Sequence, residues 1–324
     1  MGSLDGRIIV ITGAGRGIGR EHALLFASEG AKVVVNDLGG NIDGTGEDRA
    51  PAQVVVDEIT EAGGEAVANT DNVADWEGGQ NLINQAIDTY GDLHAVVNNA
   101  GILRDRVLVN MTEAEWDAVM AVHLKGHFVP TRFAAAYWRE QSKAGKEVKA
   151  NVVNTSSGAG LLNNFGQTNY AAAKSGIATF TMVAAMELAN YGVRVNAIAP
   201  LARTRLTLQT PGMDSVVAAP EDAAEFDIWD PANISPIVGY LCTENLPFTG
   251  GVFHAGGSEM GLFQGWTLKD VATCPDGRWT IAGLEEAAPA IVDDDKALVS
   301  SGNSLEEFTP EFLVRHGVDL SSLG

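Results

Sequence analysis

Residues 12–19 read Thr12-Gly13-Ala14-Gly15-Arg16-Gly17-Ile18-Gly19. They follow the apolar run 7–12 (Arg-Ile-Ile-Val-Ile-Thr) and open onto a helical pattern. Strand, glycine turn and helix in that order make a phosphate cradle. Gly13, Gly17 and Gly19 let the backbone turn sharply and approach a pyrophosphate, whose charge the helix N-terminus favours. Alone such a turn is weak evidence, because an ordinary tight turn uses the same residues. Eighteen positions beyond Gly19 stands Asp37, at the end of the second apolar run. A carboxylate there accepts hydrogen bonds from the adenosine ribose and repels a 2′-phosphate, so NAD is expected over NADP. Arg16 argues the other way, since a basic side chain in the turn can pair with that phosphate. Asp37 carries more weight because it should sit at the discriminating oxygen itself.

The same rhythm continues along the chain. The runs 7–12, 31–36, 65–69, 93–98, 151–155, 192–198 and 251–255 read as strands, and helical patterns fill the gaps. Their unbroken β-branched character suits strands buried on both faces. Alternation of this kind predicts an α/β fold, a Rossmann-like doubly wound parallel sheet with helices on both faces. Two long helices are expected over 113–144 and 169–190, the first opened by a capping box at Thr112 and Glu115. Residues 38–51 read as an extended Gly- and Asp-rich loop. Residues 201–230 hold Pro211 and Pro220 and no clear period, and read as a mobile flap. The expected division is a nucleotide-binding and catalytic domain over 1–260, flap included, and a C-terminal extension over 261–324 of unassigned fold. For that extension three placements stay open: packed on the body, reaching a neighbouring subunit, or partly disordered.

Whole-chain properties exclude several classes. The chain has 324 residues, ample for one large core. With 42 acidic and 21 basic side chains its net charge is −21, which disfavours nucleic acid and anionic membrane as partners. Only Cys242 and Cys274 are present, so no disulfide framework is implied and a cytoplasmic setting is expected. The N-terminus leads directly into a strand with no apolar signal region. No apolar run reaches the ~18–20 residues that span a bilayer. The histidines show no metal-ligand spacing, and no metal is expected.

The chemistry lies further along. Tyr170 and Lys174 are one helical turn apart, and Ser157 lies thirteen residues before the tyrosine. Hydride transfer from an alcohol carbon needs a base for the hydroxyl proton. A phenol has an ordinary pKa near ~10, and a cation one turn away favours its ionised form. Lys174 is on the right helix face to do this, and to hold the nicotinamide ribose. Ser157 is placed to polarise the substrate oxygen, with Ser156 as the neighbouring alternative. A lone Tyr-x-x-x-Lys is more often a half-buried tyrosine beside a solvated lysine. Behind a cofactor turn and a serine-ended strand, the catalytic reading prevails. Asn72 and Val73 follow the third strand, where an amide can read the adenine edge. Asn98 and Asn99 end the fourth and can brace the central strands, while Ala100 and Gly101 let a cofactor lie close to the backbone.

Together the motifs at 12–19, Asp37, 98–101, Ser157, 170–174 and 194–200 resemble the short-chain dehydrogenase/reductase superfamily, over roughly residues 5–256. A narrower resemblance rests on 33–40, 98–106 and 164–167, which look like the (3R)-hydroxyacyl-CoA dehydrogenase unit of the peroxisomal multifunctional enzyme type 2 and its free-standing bacterial relatives. The resemblance implies a seven-stranded sheet and a homodimer or homotetramer built on the two long helices. It also implies NAD-dependent interconversion of a secondary alcohol and a ketone. Ile18 and Pro200 join the cofactor contacts through it. Two departures stand out. His123 occupies the place where the superfamily usually has an asparagine that holds a relay water, and a histidine packed between helices reads equally well there. After Pro200 the usual glycine is Leu201, and Thr204 stands near, not at, the spacing of the threonine that caps the nicotinamide amide.

The expected substrate is bulky and hydrophobic, such as a 3-hydroxyacyl-CoA, because the flap carries Leu206, Leu208, Met213, Val216, Val217, Phe226 and Trp229. Steroid or other hydrophobic alcohols remain an alternative, as does a catalytically silent NAD-binding subunit. Arg104, Arg106, Arg203 and Arg205 could meet a CoA phosphate or merely solvate the surface.

Overall fold

A computed structural model describes residues 2–41, 43–46, 50–209, 216–220, 222, 224–265, 271–274, 277–290 and 304–316. Its centre is one sheet of β1 (Ile8–Thr12), β2 (Lys32–Asn36), β3 (Glu65–Asn69), β4 (Ala95–Asn98), β5 (Ala150–Thr155), β6 (Val193–Leu201), β7 (Val252–Gly256) and β8 (Glu259–Leu262). The order is β3-β2-β1-β4-β5-β6-β7-β8. The first seven pair in parallel. β8 returns antiparallel from β7, an addition to the seven expected strands. It forms because Gly257 takes a left-handed φ of 51° in the tight turn, where a Cβ would stand 2.6 Å from His316 Nε2. The expected boundary at residue 260 therefore falls inside a strand.

Alternate residues of each strand feed different cores. Ile9, Ile11, Val33 and Val35 pack with Ala23 and Phe26 of α1 (Gly17–Ser28), Val55 and Ile59 of α2 (Ala50–Glu61), and with Val238 and Leu241. Ile8, Val10 and Val34 pack with Leu82 and Ile83 of α3 (Trp76–Tyr90), and with Ala134 and Trp138 across the other face. Both faces are covered, which is why the strands read as continuous apolar runs. The chain reverses direction across the sheet between β1 and β4. The crevice at their carboxyl ends is where doubly wound sheets bind ligands.

The first long helix is not uniform. α4 (Glu113–Val119) opens with the expected capping box, Thr112 N donating to Glu115 Oε2 at 2.8 Å and Glu115 N to Thr112 Oγ1 at 3.3 Å. A wide π-type stretch, Met120–Lys125, then leads into α5 (Gly126–Lys143). Such wide turns often mark functional sites, and this one carries buried His123. Beyond β5, the short α6 (Gly158–Leu161) precedes α7 (Thr168–Leu188). α8 (Ser235–Leu241) backs β1 and α1 through the first core.

The C-terminal region contains α9 (Ile281–Ala287) and α10 (Ser304–Arg315). Phe312 and Leu313 of α10 are buried with Val217 and Trp229 of the flap, and Leu201, Val216 and Ile228 pack on them. Of the three placements open from sequence, this part packs on the body. Pro211 and Met213 of the flap lie outside the described residues, as do residues 266–270, 275–276, 291–303 and 317–324 of the tail. No helix among the described residues is long and apolar enough to cross a membrane.

Candidate active site

A cavity of about 770 Å³ runs along the carboxyl ends of the strands. At one end it is lined by Gly13, Arg16, Gly17, Ile18, Asp37, Asn72 and Val73, and further on by Asn99, Ala100, Gly101, Ser157, Tyr170, Lys174, Pro200 and Thr204. His123 lines it too. Of the residues expected at the site, only Gly19 lies off the cavity. A Cβ there would meet Gly13 O at 2.2 Å and Asn99 Nδ2 at 2.5 Å, so its glycine lets α1 pack against the turn.

The glycine turn is braced from two sides. Asn99 Nδ2 donates to the carbonyls of Thr12 and Gly13, both at 3.1 Å, and Thr12 Oγ1 accepts from Asn99 N at 2.9 Å. Asn98 Nδ2 bridges to Thr131 Oγ1 and Asn154 Oδ1, both at 2.9 Å, tying β4 to β5. Gly17 has φ 54°, and a Cβ there would meet nothing within 4 Å. That open space above the start of α1 suits a phosphate. Asp37 is buried at the end of β2, its Oδ2 accepting from Gly15 N at 2.8 Å and its Oδ1 from Gly39 N at 2.7 Å. Arg205, on the flap, has its pKa lowered chiefly by burial and then by the charge of Arg16, against the pull of Asp37. The two arginines and the carboxylate thus share the adenosine end. The other basic candidates have protein partners. Arg106 pairs with Glu115 at 2.9 Å, Arg104 Nε donates to Asp43 O at 2.5 Å, and Arg203 holds Asp227 and the Val217 carbonyl.

At the other end β5 and α7 meet. Ser156 is buried, its Oγ donating to the Lys174 carbonyl at 2.7 Å, which fixes α7 to the strand. Ser157 is the serine whose side chain acts on the Tyr170 phenol, and its Oγ accepts from Ala159 N at 3.2 Å. Burial pushes the phenol up to about 12; Ser157 draws it back, and the charge of Asp105 adds to the rise. Lys174 is 2% exposed, and burial takes its ammonium down to about 7. Its Nζ donates to Thr155 O at 2.6 Å and stands 5.5 Å from the Tyr170 ring centroid. The expected lowering of the phenol by the lysine is not seen: burial raises the phenol, only Ser157 draws it back, and the same desolvation depresses Lys174. The result is a phenol held protonated beside a lysine near its own midpoint.

His123 completes this end. Its ring stands on edge to Tyr170, centroids 5.1 Å apart at 87°. Nε2 faces the Ile102 backbone, 2.7 Å from its oxygen and 3.1 Å from its nitrogen. Nδ1 is buried with no hydrogen-bond partner among the described residues. Burial, then the charge of Lys174, hold its pKa well below the ordinary value, so the ring is neutral. Thr204 Oγ1 lies 3.0 Å from Thr207 Oγ1, in a short turn of the flap.

Some residues at or behind the site were not legible beforehand. His127 does not line the cavity but is buried, its Nε2 accepting from Thr155 N at 3.3 Å. Pro310 and Leu313 of α10 line the cavity. The apolar spacing of Leu305, Phe308, Phe312 and Leu313 was the available signal.

A family profile described as short chain dehydrogenase matches residues 7–209, more than half of the chain. The chain belongs to the short-chain dehydrogenase/reductase family. As a member of that family it is an oxidoreductase. It is 45% identical over 247 residues to hydroxyacyl-CoA dehydrogenase ChsB1 of Mycobacterium tuberculosis, covering 74% of each chain. It is 43% identical to the peroxisomal multifunctional enzyme type 2 of Drosophila melanogaster, over 82% of this chain and 40% of that larger relative. The crystal structure of a short chain dehydrogenase from Mycobacterium avium superposes with a TM-score of 0.79 at 51% identity, covering 90% of this chain and 96% of that one.

Proposed function

We propose that this short-chain dehydrogenase interconverts the secondary alcohol of a 3-hydroxyacyl-CoA and the corresponding ketone, with NAD as cofactor. The observation that carries the reading is a single cavity joining the Gly13–Gly17 turn and Asp37 to the Ser157, Tyr170 and Lys174 cluster. The named hydroxyacyl-CoA dehydrogenase relative supports the substrate class.

The residues present fit a dinucleotide. Gly17 would leave room for a pyrophosphate above α1, Asp37 would meet the adenosine ribose, and Lys174 would meet the nicotinamide ribose. Bound nicotinamide supplies the hydride acceptor or donor. In the reducing direction Ser157 donates to the ketone oxygen and polarises it. Tyr170, held protonated by its surroundings, then delivers its proton to that oxygen. In the oxidising direction the phenolate receives the hydroxyl proton. Lys174, close to its midpoint, can give or take a proton as Tyr170 recharges. His123 fixes the ring face of Tyr170 and leaves Nδ1 to hold a relay water.

The long helices also support self-association. Trp116 and Phe128 on one and Val183 and Met186 on the other are solvent-exposed apolar side chains. We assign a homodimer or homotetramer built on these helices. Both described cysteines are free, consistent with the cytoplasmic setting we assign. Steady-state assay of 3-hydroxyacyl-CoA, hydroxysteroid and polyol panels with NAD and NADP tests the function. A preference for polyol, or for NADP, defeats the corresponding half of the reading.

A further inference from the structure

We infer that helix α10 is a wall of the substrate site, and that Leu313 is a specificity-determining residue there, packing against the apolar end of the substrate. The inference rests on the hydrophobic-substrate reading above.

Leu313 and Pro310 line the same cavity as Tyr170, together with Leu201, Val216 and Phe263. Leu201 and Val216 pack against Leu313, so this stretch of the wall is apolar, with His254 among the polar lining residues, whereas Arg16, Asp37 and Arg205 line the cavity with the glycine turn. An apolar stretch of wall of this kind suits a hydrocarbon.

The helix is fastened, not merely adjacent. Phe312 is fully buried, its ring centroid 5.4 Å from Trp229, 5.8 Å from His254 and 4.4 Å from His316. Arg315 donates twice to Glu259 of β8, at 2.7 and 3.0 Å. His316 Nε2 faces the backbone and hydroxyl of Ser258, both at 3.3 Å. The β7–β8 hairpin is thus the base on which α10 sits, and the flap is the surface its apolar side presses. Leu313 lies at the junction, touching flap and cavity at once. Neither main core contains α10, so its burial serves the cavity and the flap.

The test compares wild type, Leu313→Trp and Leu313→Ala on 3-hydroxyacyl-CoA substrates from butyryl to palmitoyl length. Leu313→Trp should lower the long-to-short ratio of kcat/KM by about tenfold or more, the scale of misfit in an apolar pocket. Leu313→Ala should move the optimum toward longer or branched chains. The short substrate is the internal control, since a folding defect lowers both ends alike. Calorimetry with dodecanol on the NAD-loaded protein needs no turnover. Wild type should bind it, and Leu313→Trp should weaken that binding. An inactive wild type that still binds dodecanol, with binding lost in Leu313→Trp, would reject the hydroxyacyl-CoA reading and keep the wall. Unchanged length profile and unchanged dodecanol affinity in both variants would overturn the inference.

Discussion

Lys174 Nζ donates to the Thr155 carbonyl at 2.6 Å, two residues before Ser157. The lysine thereby ties the end of β5 to α7, and Ser157 and Tyr170 keep their relative positions through it. Lys174→Met should therefore lower turnover and weaken NAD binding together, since one side chain holds the strand end and faces the ribose. Loss of kcat with an unchanged NAD dissociation constant would show that Lys174 serves only the proton.

The same lysine has a signature in stability. Burial holds its folded pKa at about 7, well below the ordinary lysine value of 10.5. Below pH 7 both states carry the charge, and the folded state bears the full cost of burying it. Between pH 7 and 10.5 the unfolded state holds more protons, so stability rises with pH across that window. Denaturant unfolding at pH 7 and pH 9 should show wild type gaining stability relative to Lys174→Met. Parallel curves would contradict a buried ammonium whose charge burial disfavours.

Tyr170→Phe should reduce kcat by about 10²–10⁴-fold, the usual contribution of a general acid–base group, while NAD still binds. Only the phenol oxygen is removed, and it is the group whose ionisation Ser157 favours. A variant retaining more than about a tenth of wild-type kcat would refute the role.

Asp37→Ala should narrow the preference for NAD over NADP by about tenfold or more, because a hydrogen bond to a charged group contributes about 1.5–3 kcal/mol. The carboxylate also braces Gly15 and Gly39, so Asp37→Asn, which keeps a side-chain oxygen, separates bracing from charge. Calorimetry with both cofactors checks this, and tighter NADP binding in wild type would move the decision to Arg16 and Arg205.

His123→Phe should keep the edge contact to Tyr170 and lose both ring nitrogens. If Nδ1 holds a relay water, the solvent isotope effect on kcat should change and His123→Asn should recover most of the rate. Equal rates in both variants would leave His123 a packing residue.

The sheet and the cofactor end were readable because their signals are local. Strand-end residues at Thr12, Asp37 and Asn98 are fixed by their own segments, and a glycine turn is specified by backbone sterics within eight residues. Ser157, Tyr170 and Lys174 were readable because helix and strand periodicity put them at one carboxyl edge. Their proton balance was not. Whether a cation lowers the phenol or burial raises it depends on how much water the fold removes, which no spacing states. The π-type stretch at Met120–Lys125 was equally hidden, since its apolar pattern fits an ordinary helix.

By itself, the sequence determined a doubly wound sheet, a glycine turn with an acidic strand end, and a serine–tyrosine–lysine set at one edge. These follow from periodicity and backbone sterics, which act over a few residues. Tertiary structure alone decided that β8 closes the sheet, that Ser156 anchors while Ser157 faces Tyr170, and that Leu313 reaches the cavity from the chain's far end. Those outcomes depend on contacts between segments distant along the chain, where burial and close packing choose among partners that local pattern leaves equivalent.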